Sequence, residues 1–281
     1  MQSNLARFKI LIFLVAGILV IFAGYVLFAD IYPLPRLFEI FDTIIVLGSL
    51  MFLLKNYQNL HRHDWIIGIM IGAIVGMGMC FATLFSPYPF FGMINSHLGQ
   101  AFLRGFFTSL ATLSGLAIMR QGGPVQFRAA NGEWHQAGKS LLFGFLVGFP
   151  LAALNVFALQ ISEGQPIAWQ NPLAALLDAL QPAIVEEMIY RFAFLGLLWF
   201  VLRGPLPNQA TWISGLLALL VHNFAHFSDL LLDAPLIALG MGTAMAVIWG
   251  LPLTILALRR DIDSAIAFHW VQDLVRFLAG F

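Results

Sequence analysis

The stretch "ILIFLVAGILVIFAGYVLFA", residues 10–29, runs for twenty residues without a charge. A helix rises about 1.5 Å per residue, so about 20 apolar residues cover a bilayer core of roughly 30 Å. In lipid such a helix also satisfies its own backbone N–H and C=O groups. Eight further apolar runs follow, at 37–54, 65–86, 99–119, 140–160, 181–202, 209–228, 235–257 and 262–280. The run at 181–202 has an apolar lead-in from Pro172. A helix of 31 residues from Pro172 to Leu202 exceeds one crossing, which predicts a break near Pro182, where the ladder loses a donor. The expected fold class is all-α: a polytopic transmembrane helix bundle of about eight to nine spans, with the active site in the C-terminal half. The division by sequence is four spans in 1–139 and five in 140–281.

Composition agrees with a lipid solvent. Hydrophobic residues make up 60% of the chain, charged residues 10%, and mean hydropathy is +0.87. Soluble domains average about 45–50% apolar and roughly 25% charged residues. Net charge is zero, so no basic face argues for nucleic acid. The single cysteine, Cys80, excludes an intrachain disulfide and reads as a small buried hydrophobe. Arg7 and Lys9 precede the first run, whose apolar length exceeds a signal-peptide core, so it reads as a retained anchor. With the N-terminus inside, ten Lys and Arg residues fall in inner segments and only Arg36 in an outer one. That bias predicts an integral protein of the plasma (inner) membrane with a cytoplasmic N-terminus and an external C-terminus. Trp134, Trp169 and the aromatic loop "FSPYPFFG" (85–92) read as interfacial anchors or a lid on the outer side. Glu39 and Asp42 lie near the expected outer interface, where Arg104 snorkels or pairs with them.

Ionisable groups inside spans are expensive and flag a functional site. In "VEEMIYR" (185–191), Glu187 and Arg191 are four apart and share a helix face, which pairs them. Glu186 is rotated about 100° around the helix and faces something else. In "LLVHNFAHFSD" (219–229), His222 and His226 stand at i and i+4, the spacing with which helices present two imidazoles to zinc. In "AIAFHWVQDLVRF" (265–277), His269 and Asp273 repeat that spacing, and the carboxylate is placed to receive the ring N–H. Taken singly, each pair reads equally well as an interhelical tether. Together they supply a carboxylate and imidazoles able to take a proton from water for attack on a carbonyl, directly or at a metal. In that reading Glu186 acts and Glu187 positions. The metal-ligand candidates are His226 and His269, with Glu186 and His222 as further donors, and Zn2+ is the cofactor that such a set admits.

These motifs resemble those of the CAAX protease and bacteriocin-processing (CPBP) family of intramembrane proteases. "EEMIYR" is similar to its EExxxR motif, "HNFAH" falls where the family has FxxxH, and "HWVQD" where it has HxxxN or HxxxD. Order and spacing agree over roughly 140–281. The resemblance implies hydrolysis of a peptide bond within or beside the membrane, zinc-dependent or of the glutamate type. It assigns water activation to Glu186 and His226, and oxyanion stabilisation or a metal site to His269 and Asp273. Glu187 and Arg191 would support that inner set. His222 departs from the usual Phe, and Asp273 from the Asn of the eukaryotic prenyl proteases. A carboxylate donates to an oxyanion only when protonated, so orienting His269 suits Asp273 better.

The loop charges place the site in the outer half of the membrane, away from cytoplasmic prenylated C-termini. Exported peptides, leader sequences and membrane-bound precursors are therefore the expected substrates, with the lipid bilayer as the surrounding partner. Two other classes compete: a catalytically silent scaffold or immunity-type protein, and a proton-coupled transporter using Glu186, Glu187 and Asp273 as relays. The sequence lacks the inverted repeats and matched interrupted helices of the transporter.

Overall fold

The structure, a computed structural model, describes residues 2–29, 31, 34–85 and 89–281. The side chain of Arg7 and residues 86–88 of the aromatic loop lie outside the described residues. Each run expected to span contains a helix, the one at 65–86 being helical only as far as Cys80, and no strand is present among the described residues. The helices are α1 (Gln2–Phe28), α2 (Leu37–Asn56), α3 (Arg62–Cys80), α4 (His97–Met119) and α5 (Trp134–Glu163). Next come α6 (Pro172–Glu186), α7 (Leu195–Leu202), α8 (Ala210–Ala225) and the short α9 (Ser228–Asp233). The last are α10 (Pro235–Met245), α11 (Leu251–Arg259) and α12 (Ile262–Ala279). Among the described residues, six helical segments are long and apolar enough to cross a membrane: Phe8–Phe28, Leu37–Asn59, Arg62–Cys80, His97–Met119, Trp134–Glu163 and Pro235–Arg259. The helices at 172–202, 210–225 and 262–279 fall outside that set. Between them they carry Glu186, Glu187, Arg191, both α8 histidines, His269, Asp273 and Arg276, or stop short of a full crossing.

The break expected near Pro182 does not occur. α6, a π-helical segment (Glu187–Phe194) and α7 form one uninterrupted helix. Proline removes only the bond to the carbonyl four residues earlier, and packing holds the helix across that gap. Ala175 and Ala179 of α6 bury themselves against Phe277 of α12. Asn171 caps the start by accepting from the Leu173 and Ala174 N–H groups. The π segment widens the turn instead, its end marked by a bond from the Leu195 N–H to the Tyr190 carbonyl. Such i→i+5 insertions concentrate at functional sites. α10, a second π segment (Ala246–Gly250) and α11 are likewise continuous.

Cys80, expected to be buried, is exposed at the end of α3. It lies on the outer surface of the bundle, where an apolar residue faces lipid at no cost. Asp42 pairs with Arg104 as expected, while Glu39 instead accepts the Phe91 N–H at 2.8 Å. Asp178, not singled out by sequence, accepts the backbone N–H groups of Thr83, Leu84 and Phe85. It thereby ties the segment after α3 to the helix that carries Glu186.

α12, which carries His269, is held by a close approach to α5. A Cβ on Gly144 would strike the Ser264 carbonyl, and one on Gly148 would press on Val271 and Phe268. Small residues let membrane helices meet backbone to backbone. Gly144→Val is therefore expected to destabilise the protein by about 1–3 kcal/mol. Thermal unfolding in detergent checks this, with Gly138→Val as the control, since open space surrounds Gly138.

Candidate active site

Glu186 closes α6 and Glu187 opens the π segment, so the two carboxylates leave the helix at the point where its turn widens. α8 ends at Ala225, which puts His222 in its last turn and His226 just past it. His269 lies near the middle of α12. These elements converge on a cavity of about 590 Å³ lined by Glu186, His222, His226, His269 and Asp273, with apolar walls that include Val185, Met245 and Leu253.

One oxygen organises the site. Glu186 Oε2 lies 2.8 Å from His222 Nε2, 3.7 Å from His269 Nε2 and 3.8 Å from His226 Nε2. Glu187 is fully buried beneath this corner. Its Oε1 receives Arg191 Nη1 at 3.0 Å and His269 Nδ1 at 2.9 Å. Because that carboxylate accepts, His269 carries a proton on Nδ1 and turns Nε2 toward Glu186. Arg191 Nη1 also reaches His222 Nδ1 at 2.6 Å.

The residues singled out by sequence thus meet, with one exchange of roles. Asp273 was expected to receive the ring N–H of His269, yet Glu187 does so. Asp273 Oδ2 instead lies 3.5 Å from His269 Nε2, and its Oδ1 accepts from Arg276 at 2.8 Å. The i, i+4 spacing brings the two side chains together without deciding which ring nitrogen points inward. Glu187 comes from a helix 82 residues away in sequence, beyond the reach of any local pattern.

The aromatic wall is also new. Tyr190 lies against the His222 ring at 4.4 Å between centroids, and Phe38 of α2 lies 4.9 Å from His226 and 5.8 Å from His222. Tyr190 sits inside the EExxxR stretch, so its place on the same helix was a usable signal. Nothing local in α2 marks Phe38.

Part of the donor set has the spacing of zinc ligands: Glu186, His222 and His226 present donor atoms all within 4.8 Å of one another, and His269 lies outside that group. Ligand atoms held at about 2.0–2.2 Å from one ion stand roughly 3.4 Å apart in a tetrahedron, close to the 3.7 and 3.8 Å that separate Glu186 Oε2 from the two Nε2 atoms. The carboxylate of Glu187 on His269 Nδ1 is the partner that orients metal-binding imidazoles.

Comparison with known proteins gives one match. Residues 168–275 match the family model described as type II CAAX prenyl endopeptidase Rce1-like. The matched segment runs from just before α6 into α12 and contains all three motifs. No curated protein and no solved structure matches the chain.

Proposed function

We propose, from the match of residues 168–275 to the Rce1-like family model and from the geometry of the site, that this chain is an intramembrane endopeptidase of the CAAX protease (CPBP) type whose residues cleave a peptide bond as follows. Glu186 takes a proton from a water held between its carboxylate and the ring nitrogens of His226 and His269. The hydroxide adds to the scissile carbonyl carbon. The resulting oxyanion is stabilised from the histidine side, and Glu186 returns the proton to the leaving amine as the C–N bond breaks. One observation carries this reading: a single carboxylate oxygen lies 3.7 and 3.8 Å from two imidazole Nε2 atoms, in a cavity large enough for an extended peptide segment.

Glu187 fixes the ring of His269 and is itself neutralised by Arg191. Asp273, occupied by Arg276, presents negative charge beside His269 Nε2 and favours an imidazole that binds a proton or cation there. If zinc is bound here, Glu186 with His226 or His269 would hold it, and it would supply Lewis-acid polarisation of the carbonyl and ease deprotonation of water. The substrate class we assign is an exported or membrane-anchored peptide precursor, reached from within the bilayer of the plasma (inner) membrane.

The test is direct. Purified protein reconstituted in liposomes with membrane-anchored peptides is expected to generate new termini, read by mass spectrometry. A silent scaffold would generate none at any peptide or zinc concentration. A proton-coupled transporter would instead move protons across the liposome without cutting.

A further inference from the structure

We propose that His222 is a positioning residue and not a metal ligand: Arg191 fixes its ring so that Nε2–H donates to Glu186 and holds that carboxylate between His226 and His269. The inference rests on the reading of Glu186 as the group that activates water. By distance alone His222 qualifies as a ligand, since its ring and those of Glu186 and His226 present donor atoms all within 4.8 Å of one another. The hydrogen bonds decide otherwise.

A guanidinium has donors only and stays charged. Arg191 Nη1, 2.6 Å from His222 Nδ1, must therefore donate to it, and Nδ1 must be the unprotonated nitrogen. The ring proton then sits on Nε2, 2.8 Å from Glu186 Oε2, where it donates to the carboxylate. To bind a metal through Nε2, the ring would have to carry its proton on Nδ1 and face it against the Arg191 N–H. Two donors would then oppose each other in a fully buried place, with side-chain exposure of 1% for Arg191 and 4% for His222. Arg191 cannot swing away without abandoning Glu187, which it holds through the same nitrogen at 3.0 Å. The ring itself packs against both Tyr190 and Phe38.

His222 thus links the buried pair to the working carboxylate. Arg191 holds Glu187 and, through His222, Glu186. Glu187 in turn holds His269. One guanidinium sets the orientation of both sides of the site. His226, 3.8 Å from Glu186 and more exposed to the cavity, keeps its ring free for water or metal.

Nitrogen NMR of histidine-labelled full-length protein in bilayers tests the placement without any turnover. His222, identified as the signal missing from His222→Gln, is expected to show a protonated Nε2 and a bare Nδ1, and to keep them when zinc is added. A ring protonated on Nδ1, or an Nε2 that moves to a metal-bound position with zinc, overturns the proposal. Kinetics in liposomes supply the second readout. His222→Phe keeps the ring stack but loses the donor, and is expected to lower kcat about 10–100-fold with KM unchanged. His222→Gln, whose amide N–H replaces Nε2–H, is expected to recover most of that loss. Full activity in His222→Phe, or no difference between Phe and Gln, overturns the positioning role. A wild-type protein with the expected ring but no cleavage of any peptide would instead remove the hydrolase reading, and the positioning role with it.

Discussion

Glu186→Gln is expected to lower the rate of peptide cleavage by about 10²–10⁴-fold, the range that a positioned general base contributes. The substitution keeps size and the ability to accept from His222 Nε2–H through the amide oxygen, so the local fold survives. What it removes is basicity, along with the negative charge between His226 and His269. The check is a cleavage assay on matched amounts of folded protein in liposomes, with unfolding temperature measured alongside. Equal cleavage by the variant would return Glu186 to the role of a helix tether.

Arg191→Met is expected to have the largest effect on stability. Arg191 is 1% exposed and Glu187 0%, so the variant would leave a buried carboxylate without its guanidinium and with only the His269 ring N–H as a partner. Breaking a buried pair from one side costs about 3–5 kcal/mol, because the remaining charge loses its partner while staying desolvated. Met approximates the aliphatic stem of Arg, so packing loss contributes little. The removal also frees His222 Nδ1, which loses the donor that fixes its ring. Thermal or denaturant unfolding in detergent is the readout. Glu187→Gln/Arg191→Met, which removes both charges, is expected to recover part of the loss. Equal stability of the single variant and wild type would show that the carboxylate is solvated or protonated without its guanidinium.

Much of this was legible because lipid simplifies the reading. Apolar length alone located the helices, since a bilayer core asks for a fixed number of uncharged residues. Ionisable residues inside those runs stood out because burying them demands a reason. Glu186, Glu187, Arg191, His222, His226, His269 and Asp273 all converge on the one cavity or directly beneath it. Other features escaped. The continuity through Pro182 depends on α12 packing, which no local rule for proline contains. The π segment that re-aims the turn after Glu186 has no sequence signature of its own. The partner of His269 Nδ1 is decided by how two helices cross, whereas i, i+4 spacing describes one helix only. Cys80 failed for a related reason: in lipid, an apolar run does not say which side faces the protein.

The central claim is that Glu186 and His269 act on one water as a unit, and a double-mutant cycle tests it most directly. Cleavage rates are measured for wild type, Glu186→Gln, His269→Ala and the double variant, each folded and reconstituted. Residues that act as a unit are grossly non-additive. The double variant is therefore expected to be no slower than the slower single variant. Losses that multiply, so that the double variant falls by the product of both, would show two independent contributions and contradict a shared site.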